Sequence, residues 1–314
     1  MKTRRKWRRR GKKIGLPMSK TLARLFAGKT GPVLVVIAAI IAIWYVAAIL
    51  MNAPWQRDVF TRAGTDYSTT ELIAATWAQE RPVLPAPHQV AVEIWKTTAL
   101  KKITSKRSLI FHSWVTLSST LLGFLIGTAL GIALAVAIVH SRTLDRSLMP
   151  WIITSQTIPI LAIAPMIIVV LNAIGISGLL PKAFISTYLS FFPVTVGMVK
   201  GLRSPDPMNL DLLRTYSASR AQIFWKLRWP SSVPFLFASM KVAVAISLVG
   251  AIVGELPTGA VAGLGARLLA GSYYGQTIQI WSALIAAAVM AACLVSLVGI
   301  ANSLVLRRMG VRPS

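Results

Sequence analysis

Residues 211–230 read DLLRTYSASRAQIFWKLRWP and lie between two long apolar runs. Five of these twenty residues are charged, too many for a segment that crosses hydrocarbon. The stretch is nevertheless patterned. Just upstream, Asp206 offers a side-chain acceptor to free amide groups and Pro207 suits a first helical turn, so a short helix is expected from there to about Tyr216. Ser217 and Ala218 make the turn. Ser219 and Gln222 have the spacing of a capping box, which opens a second helix that Trp229 and Pro230 are expected to end. The next apolar segment then begins near Ser231 or Ser232 and Pro234. On the second helix Ile223, Phe224 and Leu227 fall to one side, with Arg220, Lys226 and Arg228 elsewhere. Two readings stand: a helix-turn-helix unit held between two spans that transmits force to a partner, or an amphipathic linker lying on the membrane.

Outward from this unit the chain is membrane material. It is 55% hydrophobic, 14% charged and has a mean hydropathy of +0.64 over 314 residues. Uncharged runs approach the ~20 residues that a helix needs to cross a bilayer. Six spans are expected at about 32–51, 114–139, 151–173, 179–200, 234–256 and 278–305. Of the 34 lysines and arginines, 24 fall in 1–32, 140–150, 200–241 and the C-terminal end, which places both termini in the cytoplasm by the positive-inside rule. One segment resists: KKITSKR, 101–107, would then face outward in a long loop, where the rule binds less strictly. That loop also carries VLPAPHQVAVEIWKTTALKK, in which Val90, Val92, Ile94, Trp95 and Leu100 suggest an amphipathic helix lying on the membrane surface.

The formal charge of +25 does not require nucleic acid. Nine of the first thirteen residues are Lys or Arg, a basic arm suited to anionic lipid. Arg4, Arg5 and Trp7 resemble a twin-arginine export signal weakly, but the run from Gly31 to Met51 is long for a signal core, so an uncleaved first span is expected. The only cysteine, Cys293, excludes an internal disulfide. The expected organisation is a basic cytoplasmic arm over 1–31, a first span over 32–51, an external loop over 52–113, a five-helix core over 114–305 containing a coupling loop over 201–233, and a cytoplasmic tail over 306–314.

Gly123, Gly127 and Gly131 lie four apart on one helix face, a pattern for close helix packing within the chain or between subunits. Pro159, Pro165 and Pro193 interrupt the third and fourth spans and imply bends, either structural or beside a cavity. Polar groups at membrane depth are the default candidates for a pathway: Gln156, Thr157, Asn172, Tyr188, Ser190 and Thr195, with interhelical hydrogen bonding as the other reading. Glu255, the acid near a span end, has either a structural partner such as Arg267 or Lys182, or a gating or substrate role. His88, His112 and His140 lack metal-ligand spacing, and no nucleophile and base pair stands out.

The opening stretch resembles the cytoplasmic loop motif of permease subunits of ATP-binding-cassette importers: Glu-Ala-Ala, three residues, Gly, nine residues, Ile, one residue, Leu-Pro. Asp211 takes the acid position, Leu212 and Leu213 the alanines, Ser217 the glycine, Leu227 the isoleucine, Trp229 the leucine and Pro230 the proline. The glycine and both alanines are replaced. The continuation ASRAQIFWKLRWPSSVPFLFASMKVA, with LPAPHQV and GELPTGAVAGLGARLLA, is similar to the nitrate, sulfonate, taurine and pyrimidine branch of binding-protein-dependent importers of type I, over about 84–305.

The resemblance implies an all-α membrane protein of the type I importer permease fold, about six spans in the inner membrane, with a cytoplasmic coupling helix. Asp211, Leu212, Leu213, Ser217, Ala218, Ser219, Leu227 and Pro230 would meet a separate ATPase subunit, which carries the ATP and magnesium. The permease itself would bind no cofactor and catalyse nothing. A second permease copy, identical to the first, would complete the pathway, and an external binding protein would deliver a small solute; lipid is a further partner, nucleic acid is not. The chain has no G-x-x-x-x-G-K-[ST] phosphate loop of its own. At position 217 a turn glycine often supplies positive φ, so the turn here either avoids that conformation or is held by hydrogen bonding of the serine hydroxyl. Two alternatives from other classes are a proton-coupled secondary transporter using Glu255 and a non-transporting membrane scaffold.

Overall fold

The computed structural model describes residues 30–257 and 261–310, so the basic arm expected over 1–31 lies, up to residue 29, outside the described residues, as do residues 311–314 of the expected tail. Two compact units make up the chain, 1–76 and 77–314. In the first, α1 (Thr30–Ala63) continues through Pro54 well beyond the span expected over 32–51, because the missing proline amide removes a single rung from a helix of 34 residues. Phe60 stacks on Tyr67 at 4.8 Å, and Asn52 Nδ2 donates to the carbonyl of Thr76 at 3.4 Å. Helix α2 (Thr69–Ala78) leads into the second unit.

The second unit contains α3 (Pro87–Thr98), α4 (Leu109–His140), α5 (Arg142–Ser155), α6 (Ile160–Ala173), α7 (Leu179–Leu202), α8 (Pro207–Thr215), a short α9 (Arg220–Ile223), α10 (Trp229–Gly254), α11 (Leu264–Tyr273) and α12 (Thr277–Arg308). Small residues set how the long helices meet. A Cβ on Gly123 of α4 would collide with Ser186 of α7, one on Gly127 with Ser190, and one on Gly131 would stand 2.8 Å from Val194 Cβ. Backbones this close let hydroxyls reach neighbouring carbonyls: Thr187 Oγ1 donates to Gly123 O at 3.2 Å and Ser190 Oγ to the same oxygen at 3.3 Å. Residue numbers rise together along both helices, so α4 and α7 are parallel.

Helix α10 runs the other way. Gly197 and Gly201 of α7 meet Ser239 and Ser232, while Gly250 and Gly254 of α10 meet Ser186 and Lys182. Ser186 Oγ donates to Ser247 O at 3.0 Å and Ser247 Oγ to Thr120 O at 2.9 Å, tying α7, α10 and α4 into one bundle. Its apolar core includes Ile138, Val194, Met198, Leu202, Val244 and Leu294.

Parallel packing of α4 and α7 has a topological consequence: the segment between them must return across the full thickness. That return is the pair α5 and α6, which bends by 99° at residues 156–159, at the first of the proline interruptions expected within the third span. Pro159 explains a break there, since it cannot donate to the preceding turn and biases Ile158 away from helix. Two legs of about 21 Å at this angle still reach about 27 Å end to end, which with the connectors suffices to recross. Val90 is buried and Ile94 packs toward Leu109 and Leu264, whereas Val92, Trp95 and Leu100 are exposed, so one side of α3 packs on the bundle and the other carries exposed apolar groups. Trp229 and Pro230 do not end the second loop helix; α9 passes through a π-helical turn, Phe224–Arg228, into α10 without a break.

Candidate functional site

The loop between α7 and α10 is built from backbone upward. Asp206 accepts from Met208 N at 2.8 Å with Pro207 opening α8. At the far end Ser217 has φ 54°, Ser217 N donates to Arg214 O at 2.8 Å and Ala218 N to Leu213 O at 3.0 Å. This pair of bonds is a Schellman closure with serine in the left-handed position usually given to glycine. Of the two readings for residue 217, avoidance of positive φ is therefore overturned; backbone bonds make the turn. Ser219 and Gln222 then form the expected capping box, Ser219 N donating to Gln222 Oε1 at 2.8 Å and Gln222 N to Ser219 Oγ at 3.3 Å.

The wide turn at 224–228 puts Trp229 N onto Phe224 O, five residues back. Pro230 has no amide to give and its ring crowds the carbonyl four residues earlier, so a local widening keeps the helix continuous. Two contacts anchor the loop to the bundle. Phe224 is buried with its ring 5.2 Å from His140, the last residue of α4, and Arg203 pairs with Asp145 of α5 at 2.8 Å. Leu227 and Pro230 sit half-buried in this foot. By contrast α8 has no buried residue: Met208, Leu212 and Tyr216, spaced by four along one face, are 80%, 54% and 77% exposed, and Asp211 beside them pairs with Arg214 at 3.1 Å.

The pathway candidates separate into three groups. Tyr188 of α7 donates its hydroxyl to Ser155 O at the end of α5, next to Gln156 and Thr157, so the bend between α5 and α6 gathers these polar groups. Asn172 is exposed near the end of α6. Ser190 and Thr195 are buried in helix interfaces, Thr195 donating to Phe191 O at 2.8 Å.

Glu255, which follows α10, is fully buried. Thr116 Oγ1 donates to its carboxylate, 3.0 Å from Oε1 and 2.9 Å from Oε2, and Gly265 N donates to Oε2 at 2.9 Å. Lys182 Nζ lies 3.9 Å from Oε1 and donates to Ala262 O at 3.1 Å. Thr116 in turn accepts from Leu264 N at 2.8 Å, and His112 Nδ1 accepts from Gly263 N at 3.0 Å, which assigns the ring proton to Nε2 facing Lys106 O at 2.9 Å. The carboxylate thus laces α4, α7 and α10 to the start of α11. Any side chain at Gly263 would collide with it. Of its two expected partners, Lys182 is the one found; Arg267 instead pairs with Glu93 at 3.4 Å. The roles of Thr116, Asp145, Arg203 and His140 were not visible in the sequence, since each is defined by a partner on another helix.

Among the described residues, a helical bundle of four apolar helices plus one bent pair in the second unit, carrying a capped helical loop at one end, together with the apolar helix α1 of the first unit, defines a polytopic transport-type membrane subunit. Residues 127–311 match the family model of the binding-protein-dependent transport system inner membrane component. The riboflavin transport system permease protein RibX of Chloroflexus aurantiacus is 35% identical over 225 residues, 72% of this chain and 80% of that one. The formylaminopyrimidine transport permease protein ThiX of Halalkalibacterium halodurans is 31% identical over 194 residues, covering 62% and 72% respectively. Among solved structures, inward-facing conformations of the MetNI methionine ABC transporter share the fold with a TM-score of 0.52 at 19% identity, over 62% of this chain and 93% of that one. The chain belongs to the family of inner membrane permease components of binding-protein-dependent ATP-binding-cassette importers.

Proposed function

We propose that this chain forms, with a second copy of itself, the translocation pathway for a small solute that an external binding protein delivers, and that it is driven by a separate ATPase docking on the 206–230 loop. The observation that carries the proposal is the exposed stripe Met208, Leu212 and Tyr216 on a helix that buries nothing of its own, mounted on a foot that is buried. An apolar helical stripe of this kind suits a hydrophobic groove in a partner. Force applied to α8 passes through the Schellman turn and capping box into α9 and, without a flexible joint, into α10. The Arg203–Asp145 and Phe224–His140 contacts carry it to α5 and α4 as well. Both termini and this loop are assigned to the cytoplasm on the charge distribution. Catalysis resides in the partner, which supplies ATP and magnesium.

The fully buried Glu255 carboxylate accepts hydrogen bonds from Thr116 and Gly265 N with Lys182 as its counter-charge, a structural tie that accounts for the residue without proton coupling. The test is co-purification of the ATPase with the intact chain and with Leu212→Asp or Asp211→Lys, followed by ATP hydrolysis. Recovery and turnover should fall about tenfold or more if one buried apolar anchor is replaced by a charge, with membrane insertion unchanged. Undiminished recovery of an active ATPase with both variants would overturn the assignment of α8.

A further inference from the structure

The segment KKITSKR, 101–107, which ran against the charge rule, lines a basin at the end of the bundle opposite the α7–α10 loop. The cavity, about 550 Å³, lies between α3, the 99–108 connection, α11 and α12, a size in the ordinary range for ligand pockets. Lys96, Lys101, Lys106, Arg107 and Arg267 face it with Glu93 as the acid. Glu93 is engaged by Arg267; among the described residues the other four cations have no carboxylate within 4.0 Å. The rim lysines are exposed, whereas Arg267 at the floor is 6% exposed.

Arg267 is held in place by its terminal groups, Nη1 donating to Arg107 O at 3.1 Å and Nη2 to Glu93 Oε1 at 3.4 Å. Its Nε–H is buried and, among the described residues, has no hydrogen-bond partner. A buried donor left unsatisfied and a cluster of unneutralised cations are both costly, and both are relieved by one kind of ligand. Burial lowers the pKa of the Arg267 guanidinium from its ordinary value, with Glu93 opposing that shift, and a second anion would oppose it further.

We infer that this basin binds an oxyanion of phosphate type, received by Lys101 and Lys106 at the rim and by Arg267 at the floor. The same chemistry is offered by a free inorganic oxyanion and by the headgroup of an anionic phospholipid. Trp95 on α3 and Trp114 in the first turns of α4, each 66% exposed, suit the headgroup level of a bilayer. Site and proposal are independent of the coupling assignment of α8.

The experiment uses the full chain in phosphatidylcholine nanodiscs, with two probes: inorganic phosphate by titration calorimetry, and phosphatidylglycerol by native mass spectrometry with and without competing phosphate. The variants are Lys101→Gln with Lys106→Gln, on the exposed rim, and Arg267→Lys. Saturable phosphate binding that also displaces phosphatidylglycerol assigns a free-oxyanion site; retention of phosphatidylglycerol that phosphate does not displace assigns a lipid site. In either case the rim pair should weaken binding about tenfold, as expected for loss of charge-assisted contacts, with helicity and insertion preserved. Absence of binding in both arms, or binding that the rim pair leaves unchanged, would overturn the inference.

Discussion

Ser217 holds φ at 54° in a turn made by two backbone bonds, a conformation that costs an L-residue about 1–2 kcal/mol. Glycine would remove that cost but gain about 0.4–1 kcal/mol of unfolded-state freedom. Ser217→Gly is therefore expected to leave the apparent melting midpoint in detergent unchanged or to raise it by the equivalent of up to about 1.6 kcal/mol, whereas Ser217→Val should lower it. A glycine variant less stable than the serine protein would mean that the hydroxyl, not the backbone, holds the turn. Gly127 is the opposite case, because space and not φ requires it: a Cβ there meets Ser190. Gly127→Val should cost about 1–3 kcal/mol or fail to fold, as overpacking does. Gly299→Ala is the control, since the atom nearest to its new methyl is Lys241 Cε at 3.8 Å, and it should be tolerated.

At the scale of elements, the loop caps were legible because each is local: Asp206 with Met208, Ser219 with Gln222, and the turn at Ser217 all lie within a few residues. The glycine row of α4 was legible as a packing face, although its occupant, α7, was not. What escaped was decided by distant partners. Proline at 159 announced a bend, but its 99° depends on how α5 and α6 settle around the bundle. Pro230 looked like a stop because the compensating π-turn has no sequence signature. Glu255 is the sharpest case, its donor Thr116 and its counter-charge Lys182 lying 139 and 73 positions away in other helices. The lacing it provides is testable: Glu255→Leu leaves Gly265 N–H without its acceptor and Lys182 without its counter-charge, Thr116 and Lys182 keeping only the carbonyls of His112 and Ala262, and it should cost about 3–5 kcal/mol, as breaking a buried pair does. Glu255→Gln keeps an acceptor in place and should cost less. Equal midpoints for the two variants in a detergent melt would show that the hydrogen bonds contribute nothing. Arg203→Ala removes a pair whose side chains are 46% and 33% exposed; about 0.2–1 kcal/mol is expected, discounted for solvent screening, with any larger effect appearing in coupling to the ATPase.

The whole molecule turns on one relation, the parallel course of α4 and α7. Because Gly123, Gly127 and Gly131 meet Ser186, Ser190 and Val194 in rising order, the chain leaves α4 at one end of the bundle and must enter α7 at the other. The bent pair then crosses, and it is not a loop that dips in and returns to the same side. Three crossings separate residue 104 from residue 209 on this topology, against two if α5 and α6 were re-entrant. Single cysteines separate the cases. Thr104→Cys and Asn209→Cys, both at exposed positions and introduced with Cys293→Ser, should react with a membrane-impermeant maleimide from opposite faces of sealed vesicles. Labelling from the same face would make the pair re-entrant and contradict the parallel packing. With opposite faces established, Asn209 reacting from the cytoplasm places the α8 stripe where an ATPase can reach it. The same result puts the basic basin on the external side, where positive charge disfavours retention by the usual rule and a bound anion gives the physical reason for it.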